Sequence, residues 1–366
     1  MKTSLYIHVP FCRVKCPYCS FPVVVGQESR RAAYLVEVGR EMARHAGASV
    51  VSLHVGGGTP SALSEADIAG LAAAVRKNFI IAGREWACEL NPESVTRAKA
   101  DAFRSAGFTR ASLGAQSFRE KYLRQLGRLH ERNDASRAFR LLREAGFDNI
   151  NVDLMFGFPG QTMAEIDADL DDLLSLGSEH VSLYALTVDD HSLFHARGVK
   201  VCDDQQAEGY RRACARLNAA GLGQYEVSNF AREGFRSAHN LNYWQGGDYI
   251  GVGMGAHSHS NGVRSWNAGT FPRYMAMMKG AGNAEEGREQ LDAARKMTET
   301  FLFGLRMVSG VDMASLQARF GCLFSPELYA GLDALAAEGF IVREGARARV
   351  TDKGRLVLDE ISARLI

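Results

Sequence analysis

Three closely spaced cysteines are the residues of this sequence best suited to chemistry. Cys12, Cys16 and Cys19 fall within eight residues, so one loop can present three thiolates to a single iron–sulfur cluster. A cluster of four irons is normally held by four cysteines, and a loop with three leaves one iron free to bind a small molecule. The open alternatives are a zinc site completed by His8 and thiols that only pack. Zinc is disfavoured because no second pair of ligands is evident among the other cysteines.

Glycine and polar residues farther along the chain form a second group of candidates. Residues 56–60 read Gly-Gly-Gly-Thr-Pro, and a glycine run lets backbone N–H groups approach a ligand closely because no Cβ intervenes. No Gly-Lys-Ser/Thr follows, so a nucleotide triphosphate site is not indicated. Glu89, Gln116 and Asp153 each end or follow a β-rich segment. Their shared position makes them candidates for one site.

The elements that must position these residues follow a βα alternation up to about residue 190. Strands are predicted at residues 4–9, 50–55, 85–90, 110–114, 149–155 and 180–186, and helices at 30–44, 65–78, 97–106, 134–145 and 163–176. Gly107, Gly146 and Gly177 are expected to stop helices. Six βα units are too few for a closed eight-stranded barrel and predict an α/β fold with an open, partial (β/α)6 barrel. Active sites of such folds lie at the carboxyl ends of the strands, where the candidate residues fall.

The remaining sequence predicts two further parts and limits the functions of the whole. Residues 1–200 are expected to form the barrel, 201–296 an irregular extension, and 297–366 a mainly helical, winged-helix-like domain. Lys and Arg number 43 against 42 Asp and Glu, a net charge of +1 that attracts neither nucleic acid nor an anionic membrane. Seven cysteines, no signal peptide and no long apolar run favour a cytoplasmic protein without a membrane span. Peripheral membrane contact and oligomeric state stay open.

The cysteine loop, C-x-x-x-C-x-aromatic-C with Tyr18 at the aromatic position, resembles that of radical S-adenosylmethionine (radical SAM) enzymes. In that family, the free iron of a [4Fe-4S] cluster chelates the methionine part of S-adenosylmethionine, and one electron then cleaves the cofactor to a 5′-deoxyadenosyl radical. The resemblance implies cluster ligation by the three cysteines. It implies cofactor contacts at Tyr6, Tyr18, Gly57, Gly58, Thr59, Glu89, Gln116, Arg128 and Asp153. Arg128 also fits a solvated row with Arg124 and Arg132 at helical spacing.

Segments 6–12, 89–93, 115–118 and 153–157 extend the resemblance to the oxygen-independent coproporphyrinogen III oxidase family of porphyrin metabolism. Three departures favour its heme chaperone branch over the oxidases. Phe21 stands where the oxidases have a further cysteine, the first strand begins almost at Met1 without their preceding extension, and residues 239–244 match the motif H-N-x-x-Y-W. The motif implies heme as cargo, with His239 as an axial ligand and with Tyr243 and Trp244 covering the macrocycle.

The resemblance therefore implies a heme chaperone that holds a [4Fe-4S] cluster and S-adenosylmethionine, binds heme and delivers it to heme-accepting proteins. The recipients and the electron donor are unidentified, and no catalytic residue is assigned. A coproporphyrinogen oxidase and a related radical SAM methyltransferase are the alternatives, so it stays open whether the chain is an enzyme.

Overall fold

The computed structural model describes residues 2–366 and contains one twelve-stranded sheet. We number its strands in chain order. They are β1 (Lys2–Val9), β2 (Ser49–Gly57), β3 (Ile80–Leu90), β4 (Arg110–Gln116), β5 (Asn149–Phe156), β6 (His180–Ala185), β7 (Gly223–Gln224), β8 (Asn229–Ala231), β9 (Tyr249–Val252), β10 (His257–Ser260), β11 (Val263–Asn267) and β12 (Glu285–Gln290). The spatial order is β12-β11-β10-β9-β1-β2-β3-β4-β5-β6-β8-β7.

The first six strands form the predicted partial barrel. Each of β1–β5 pairs in parallel with the strand that follows it, up to β6, and the predicted α/β fold is confirmed. The helices between these strands are Arg31–Ala43, Glu65–Asn78, Arg97–Ser105, Arg132–Glu144 and Met163–Ser175. Three of them end before Gly107, Gly146 and Gly177, which have φ of +98°, +91° and +69°. These left-handed glycines stop the helices as expected.

The barrel core follows from the apolar pattern of its elements. On β1, Leu5 and Ile7 are fully buried, and they pack in one cluster with Val38 and Met42 of the first helix. The second helix begins where Ser64 accepts a hydrogen bond from the Asp67 N–H and the Asp67 side chain bonds back to the Ser64 N–H. This capping box fixes the chain direction as it leaves the glycine run after β2.

The segment predicted to be an irregular extension contains ordered strands, so that part of the expectation was wrong. Strand β9 pairs in parallel with β1, and β10, β11 and β12 follow as antiparallel neighbours. Residues 285–290 read Glu-Glu-Gly-Arg-Glu-Gln, which lacks the alternation of apolar residues that marks a strand. The helices of this region are Asp203–Ala219, Ala238–Trp244 and Phe271–Ala281.

The last part of the chain has its own hydrophobic cluster, which includes Phe301, Leu332 and Ile361. Its helices are Ala293–Gly304, Met313–Phe320, Pro326–Ala337, Asp352–Arg355 and Leu358–Arg364. Its strands are Val311–Asp312, Ile341–Glu344 and Arg347–Val350, and the last two form a hairpin. This succession of helices and a strand pair has the winged-helix-like order expected from the sequence.

The remaining elements are short. Strands Phe11–Cys12 and Val24–Val25 pair with each other, helices span Glu120–Gln125 and Leu193–Ala196, and 3₁₀ turns span Glu28–Arg30, Pro60–Ala62 and Pro92–Ser94. Among residues 2–366, no helix is both long and apolar enough to cross a membrane.

Candidate functional site

A cavity of about 500 Å³ opens at the carboxyl ends of the parallel strands. The predicted site residues that line it are Cys12, Cys16, Tyr18, Cys19, Gly57, Gly58, Thr59, Glu89, Gln116, Arg128 and Asp153. They come from the loop after β1 and from β2, β3, β4 and β5 or the segments that follow them. Parallel strands end at one edge of a barrel, so residues far apart in sequence meet there.

The three cysteines share this cavity in a loop held by backbone hydrogen bonds. Cys12 lies in the short strand that pairs with residues 24–25, and the Cys19 N–H donates to the Cys16 carbonyl at 3.0 Å. Burial raises the pKa of the Cys12 thiol to about 11 and also raises that of Cys19. None of the cysteines in residues 2–366 forms a disulfide. In the same residues, no group of three or more His, Cys, Asp or Glu side chains converges on a point where one metal ion could bind. A four-iron cluster does not require such convergence, because each cysteine ligates a different iron.

The glycine run after β2 forms a wall of backbone that no larger residue could replace. Gly57 has φ of +107°, and a Cβ on it would lie less than 3.0 Å from the His8 ring. A Cβ on Gly58 would lie 2.8 Å from the Pro10 carbonyl oxygen. Glycine at both positions therefore lets this backbone, the glycine cradle, pack against His8 and Pro10 while it lines the cavity.

Two carboxylates face this wall and differ in pKa. Burial alone would raise the pKa of Glu89, but a hydrogen bond from His54 at 2.8 Å and one from the Gly57 N–H at 3.0 Å hold it below its usual value. Burial, and then the charge of Glu89, raise the pKa of Asp153 to about 6. The pair thus offers one carboxylate that is ionised at neutral pH and a second that protonates in mild acid.

Gln116 and Arg128 line the cavity near the end of β4, which lies between the strands that carry the two carboxylates. Gln116 is a non-glycine residue with φ of +65°, and its Oε1 has no hydrogen-bond partner in residues 2–366. Arg128 donates to the Asn91 side chain and the Gly114 carbonyl, both at 2.9 Å, and reaches the Cys16 sulfur at 3.9 Å. Its Nε also lacks a partner in that range. Buried polar atoms without partners mark a place where a ligand can complete the hydrogen bonding.

The alternative of a solvated arginine row is not what the structure shows. One helix ends at Gln125 and the next begins at Arg132, so Arg128 lies between them and points into the cavity. Helical spacing predicts a shared face only where the helix is continuous.

Four predicted residues lie away from this cavity. Tyr6 lies inside the barrel below it, where its hydroxyl and the His8 Nδ1 are 3.0 Å apart. His239 is buried, and its two ring nitrogens share hydrogen bonds with the Ser52 hydroxyl at 3.0 Å and the Tyr243 hydroxyl at 3.1 Å. Tyr243 and Trp244 line a separate cavity of about 190 Å³. The structure therefore does not bring His239 to either cavity wall.

Sequence reasoning missed several residues of the cavity. Ser112 donates to the Asp153 carboxylate at 3.3 Å, and Asn91 joins Arg128 to Thr59 through its side chain. Ser112 precedes Gln116 by four positions on β4, so the alternation of a strand could have placed it on the same face. His54 does not line the cavity but donates to Glu89 from below it, and its position two residues before the glycine run could have indicated it in the same way.

Comparison with known proteins agrees with this arrangement. The Radical SAM superfamily profile matches residues 6–173, and the HemN C-terminal domain profile matches residues 291–357. The structure of coproporphyrinogen III oxidase (HemN) from Escherichia coli, a radical SAM enzyme, superposes with a TM-score of 0.88 at 25% identity, covering 99% of this chain and 89% of that one. A partial parallel barrel with a three-cysteine loop at its carboxyl end is thus the fold of the radical SAM class.

Curated relatives narrow the class further. The Heme chaperone HemW of Bacillus subtilis is 32% identical, covering 98% of this chain and 97% of the relative. HemW of Escherichia coli is 33% identical, covering 98% of this chain and 96% of the relative. HemW of Mycobacterium tuberculosis H37Rv is 35% identical, covering 99% of this chain and 94% of the relative. The chain belongs to the HemW family. The predicted heme chaperone branch of the coproporphyrinogen oxidase family is thereby confirmed as its family.

Proposed function

We propose that this chain binds a [4Fe-4S] cluster and S-adenosylmethionine in the 500 Å³ cavity. The observation that carries the proposal is that the three cysteines and all but one of the predicted cofactor contacts line one cavity at the carboxyl ends of the parallel strands. Gln116 Oε1, an acceptor, and Arg128 Nε, a donor, lack partners in residues 2–366 and fit a ligand that carries both donors and acceptors.

Each residue has a role that follows from its surroundings. Cys12, Cys16 and Cys19 would hold the cluster, which when bound supplies an electron to the sulfonium of the cofactor. Glu89 and Asp153 would accept hydrogen bonds from the cofactor's ammonium and ribose hydroxyl groups. Arg128 fixes the wall behind them by holding Asn91 and the Gly114 carbonyl. The chain's own work is thus to bind and orient the cofactor.

We further propose that the chain binds heme and passes it to heme-accepting proteins, with reducing equivalents from an electron donor. The support is the family of relatives named heme chaperones. Tyr243 and Trp244 line the 190 Å³ cavity and would cover part of a macrocycle there. Axial ligation by His239 would require loss of its hydrogen bond to Ser52 or Tyr243. We place the protein in the cytoplasm because thiols and an oxygen-sensitive cluster suit a reducing compartment.

Anaerobic reconstitution with iron and sulfide tests the proposal. We expect about four irons per chain, S-adenosylmethionine binding that depends on the cluster, and a Soret band on addition of heme. Incubation with an apo-heme protein should then transfer that band to the acceptor. Zinc in place of iron, or no binding of S-adenosylmethionine, would overturn the cofactor proposal. Absence of heme binding would overturn the chaperone proposal alone.

The second candidate is oxidative decarboxylation of coproporphyrinogen, and the likeness to HemN favours it. Phe21 argues against it, since it lines the cavity where the oxidases are expected to have a further cysteine. An anaerobic assay with coproporphyrinogen, S-adenosylmethionine and a reductant distinguishes the two. Conversion to protoporphyrinogen at enzymatic rates would establish the oxidase, whereas heme transfer without conversion supports the chaperone.

A further inference from the structure

A column of aromatic and imidazole rings fills the barrel directly below the cavity. His54 of β2 lies between the Tyr6 ring, with centroids 6.0 Å apart at an interplanar angle of 22°, and the His239 ring, at 5.2 Å and 28°. His54 joins this column to a proposed cofactor residue, since its Nε2 donates to Glu89 Oε1 at 2.8 Å. The column therefore ends at the floor of the cavity.

The Glu89 carboxylate is fixed from two sides. His54 holds Oε1, and the Gly57 N–H donates to Oε2 at 3.0 Å. The absence of a Cβ on Gly56 makes room for this carboxylate, since a Cβ there would lie 2.5 Å from Oε1. Because both oxygens accept a hydrogen bond from the protein, the carboxylate is held in one orientation and its remaining lone pairs point in set directions. Loss of His54 would free one half of this arrangement.

His239 supports the column from below. Its ring nitrogens share hydrogen bonds with Ser52 and Tyr243, and its backbone N–H donates to Glu85 Oε1 at 2.8 Å. The Ser52 hydroxyl is in turn 2.7 Å from that of Ser4. These contacts tie the short helix Ala238–Trp244 to the base of β1, β2 and β3. The ring of His239 is held in one plane, and the His54 ring stacks on it.

We propose that His54 is a positioning residue that orients Glu89 for S-adenosylmethionine, and that His239 acts by holding the His54 ring rather than by ligating heme. This inference rests on the proposed binding of S-adenosylmethionine. It gives the histidine of the H-N-x-x-Y-W segment a role inside the barrel. His54 touches neither the cluster loop nor the cavity, so its effect passes through Glu89.

Two substitutions at one position separate the hydrogen bond from the ring. H54F keeps a flat ring in the stack and removes the donor, whereas H54Q keeps an N–H donor and removes the ring. A hydrogen bond to a charged group is strong enough that its loss can change an affinity by about tenfold or more. We expect H54F to weaken S-adenosylmethionine binding by at least about tenfold, measured by equilibrium dialysis on reconstituted protein. H54Q should stay within about threefold of the wild type.

A double-mutant cycle shows whether the effect passes through Glu89. If it does, H54F combined with E89Q binds S-adenosylmethionine no more weakly than E89Q alone. Additive losses would overturn the positioning role, as would wild-type affinity in H54F. The spectrum of the reduced cluster gives a second readout, since its change on adding S-adenosylmethionine should be smaller in H54F at unchanged iron content. Should H54F not fold, H54N removes the same hydrogen bond without added bulk and takes its place in the cycle.

His239 has its own pair of variants. H239A removes the support under His54 and should weaken S-adenosylmethionine binding at least threefold while heme uptake stays unchanged. Tyr243→Phe removes only one hydrogen bond of the His239 ring and should weaken S-adenosylmethionine binding less than H239A does. Lost heme uptake with full S-adenosylmethionine affinity in H239A would overturn the supporting role. If the wild type does not bind S-adenosylmethionine, the proposed function fails. If the wild type binds it and the variants bind it with the same affinity, only this inference fails.

Discussion

Replacing Gly57 by alanine tests the glycine cradle without changing any charged or sulfur-containing group. An added Cβ would lie less than 3.0 Å from the His8 ring. That ring is held by hydrogen bonds between its Nε2 and the Pro22 carbonyl at 2.9 Å and between its Nδ1 and the Tyr6 hydroxyl at 3.0 Å. The ring can give way only by breaking them. Steric conflict is therefore added to the backbone strain of a φ of +107°.

The expected loss can be estimated and compared with a matched control. A left-handed conformation costs an L-residue about 1–2 kcal/mol, and each net hydrogen bond contributes about 1 kcal/mol. We expect G57A to lower the free energy of unfolding by about 3 kcal/mol. Gly177 has φ of +69°, and no atom of residues 2–366 outside its immediate neighbours lies within 4 Å of a Cβ placed there. G177A should therefore lose only the backbone part, about 1 kcal/mol.

Urea unfolding of the apoprotein, followed by circular dichroism, measures both values. The difference between the two variants contains the contact with His8 and the greater backbone strain at a φ of +107° than at +69°. If G57A and G177A lose the same free energy within 0.5 kcal/mol, a resolution typical of additive comparisons, the close approach of backbone to His8 is refuted. G57A should also bind S-adenosylmethionine more weakly after reconstitution, because the cradle shifts when His8 moves, whereas G177A should bind it normally.

Three further results are expected. Alanine at each cluster cysteine in turn should abolish the visible absorbance of reconstituted protein, whereas C202A, at an exposed cysteine outside the cavity, should retain it. The folded pKa of Asp153 is raised from 3.8 to about 6, so its ionisation destabilises the fold as pH rises through 6. Between pH 4 and pH 8, the free energy of unfolding of D153N should therefore rise by about 3 kcal/mol relative to that of the wild type. A difference in urea unfolding that does not change with pH would contradict this. R128A leaves the Gly114 carbonyl without its hydrogen bond and should lower the free energy of unfolding by about 2 kcal/mol, measured by the same method. R124A, at a side chain that is 81% exposed, should lower it by less than about 0.5 kcal/mol. Equal losses would refute the inward role of Arg128.

The barrel could be predicted from the sequence because its signals are local. Buried runs such as residues 50–55 and amphipathic stretches such as 65–78 alternate, and the helix of the second unit has the predicted bounds, Glu65–Asn78. The glycine stops mark helix ends by backbone conformation alone. The carboxyl-end rule for parallel strands then brings Glu89 and Asp153 to one edge, which the structure bears out.

The strands added beside β1 and the location of His239 could not be predicted, because they depend on contacts between residues far apart in the sequence. Strand β9 is ordered by pairing with β1, about 245 residues away in the register Ser4 to Tyr249. The location of His239 depends on a short helix that closes the bottom of the barrel, so its motif could not show that both ring nitrogens are bonded. Tyr6 lies inside the barrel and is not among the residues that line the cavity, a depth that strand alternation does not give because it fixes only the face of each side chain.

The two outermost strands of the sheet have a bearing on handling the protein at high concentration. One edge ends in β7, which is only two residues long, and the other in β12, where four of six residues are exposed and three are glutamates. A long apolar edge would let a second chain add its own strand and start a fibril, whereas a very short edge and a charged one offer no such template. The milligram quantities that cluster reconstitution and spectroscopy demand should thus be attainable without sheet-to-sheet aggregation.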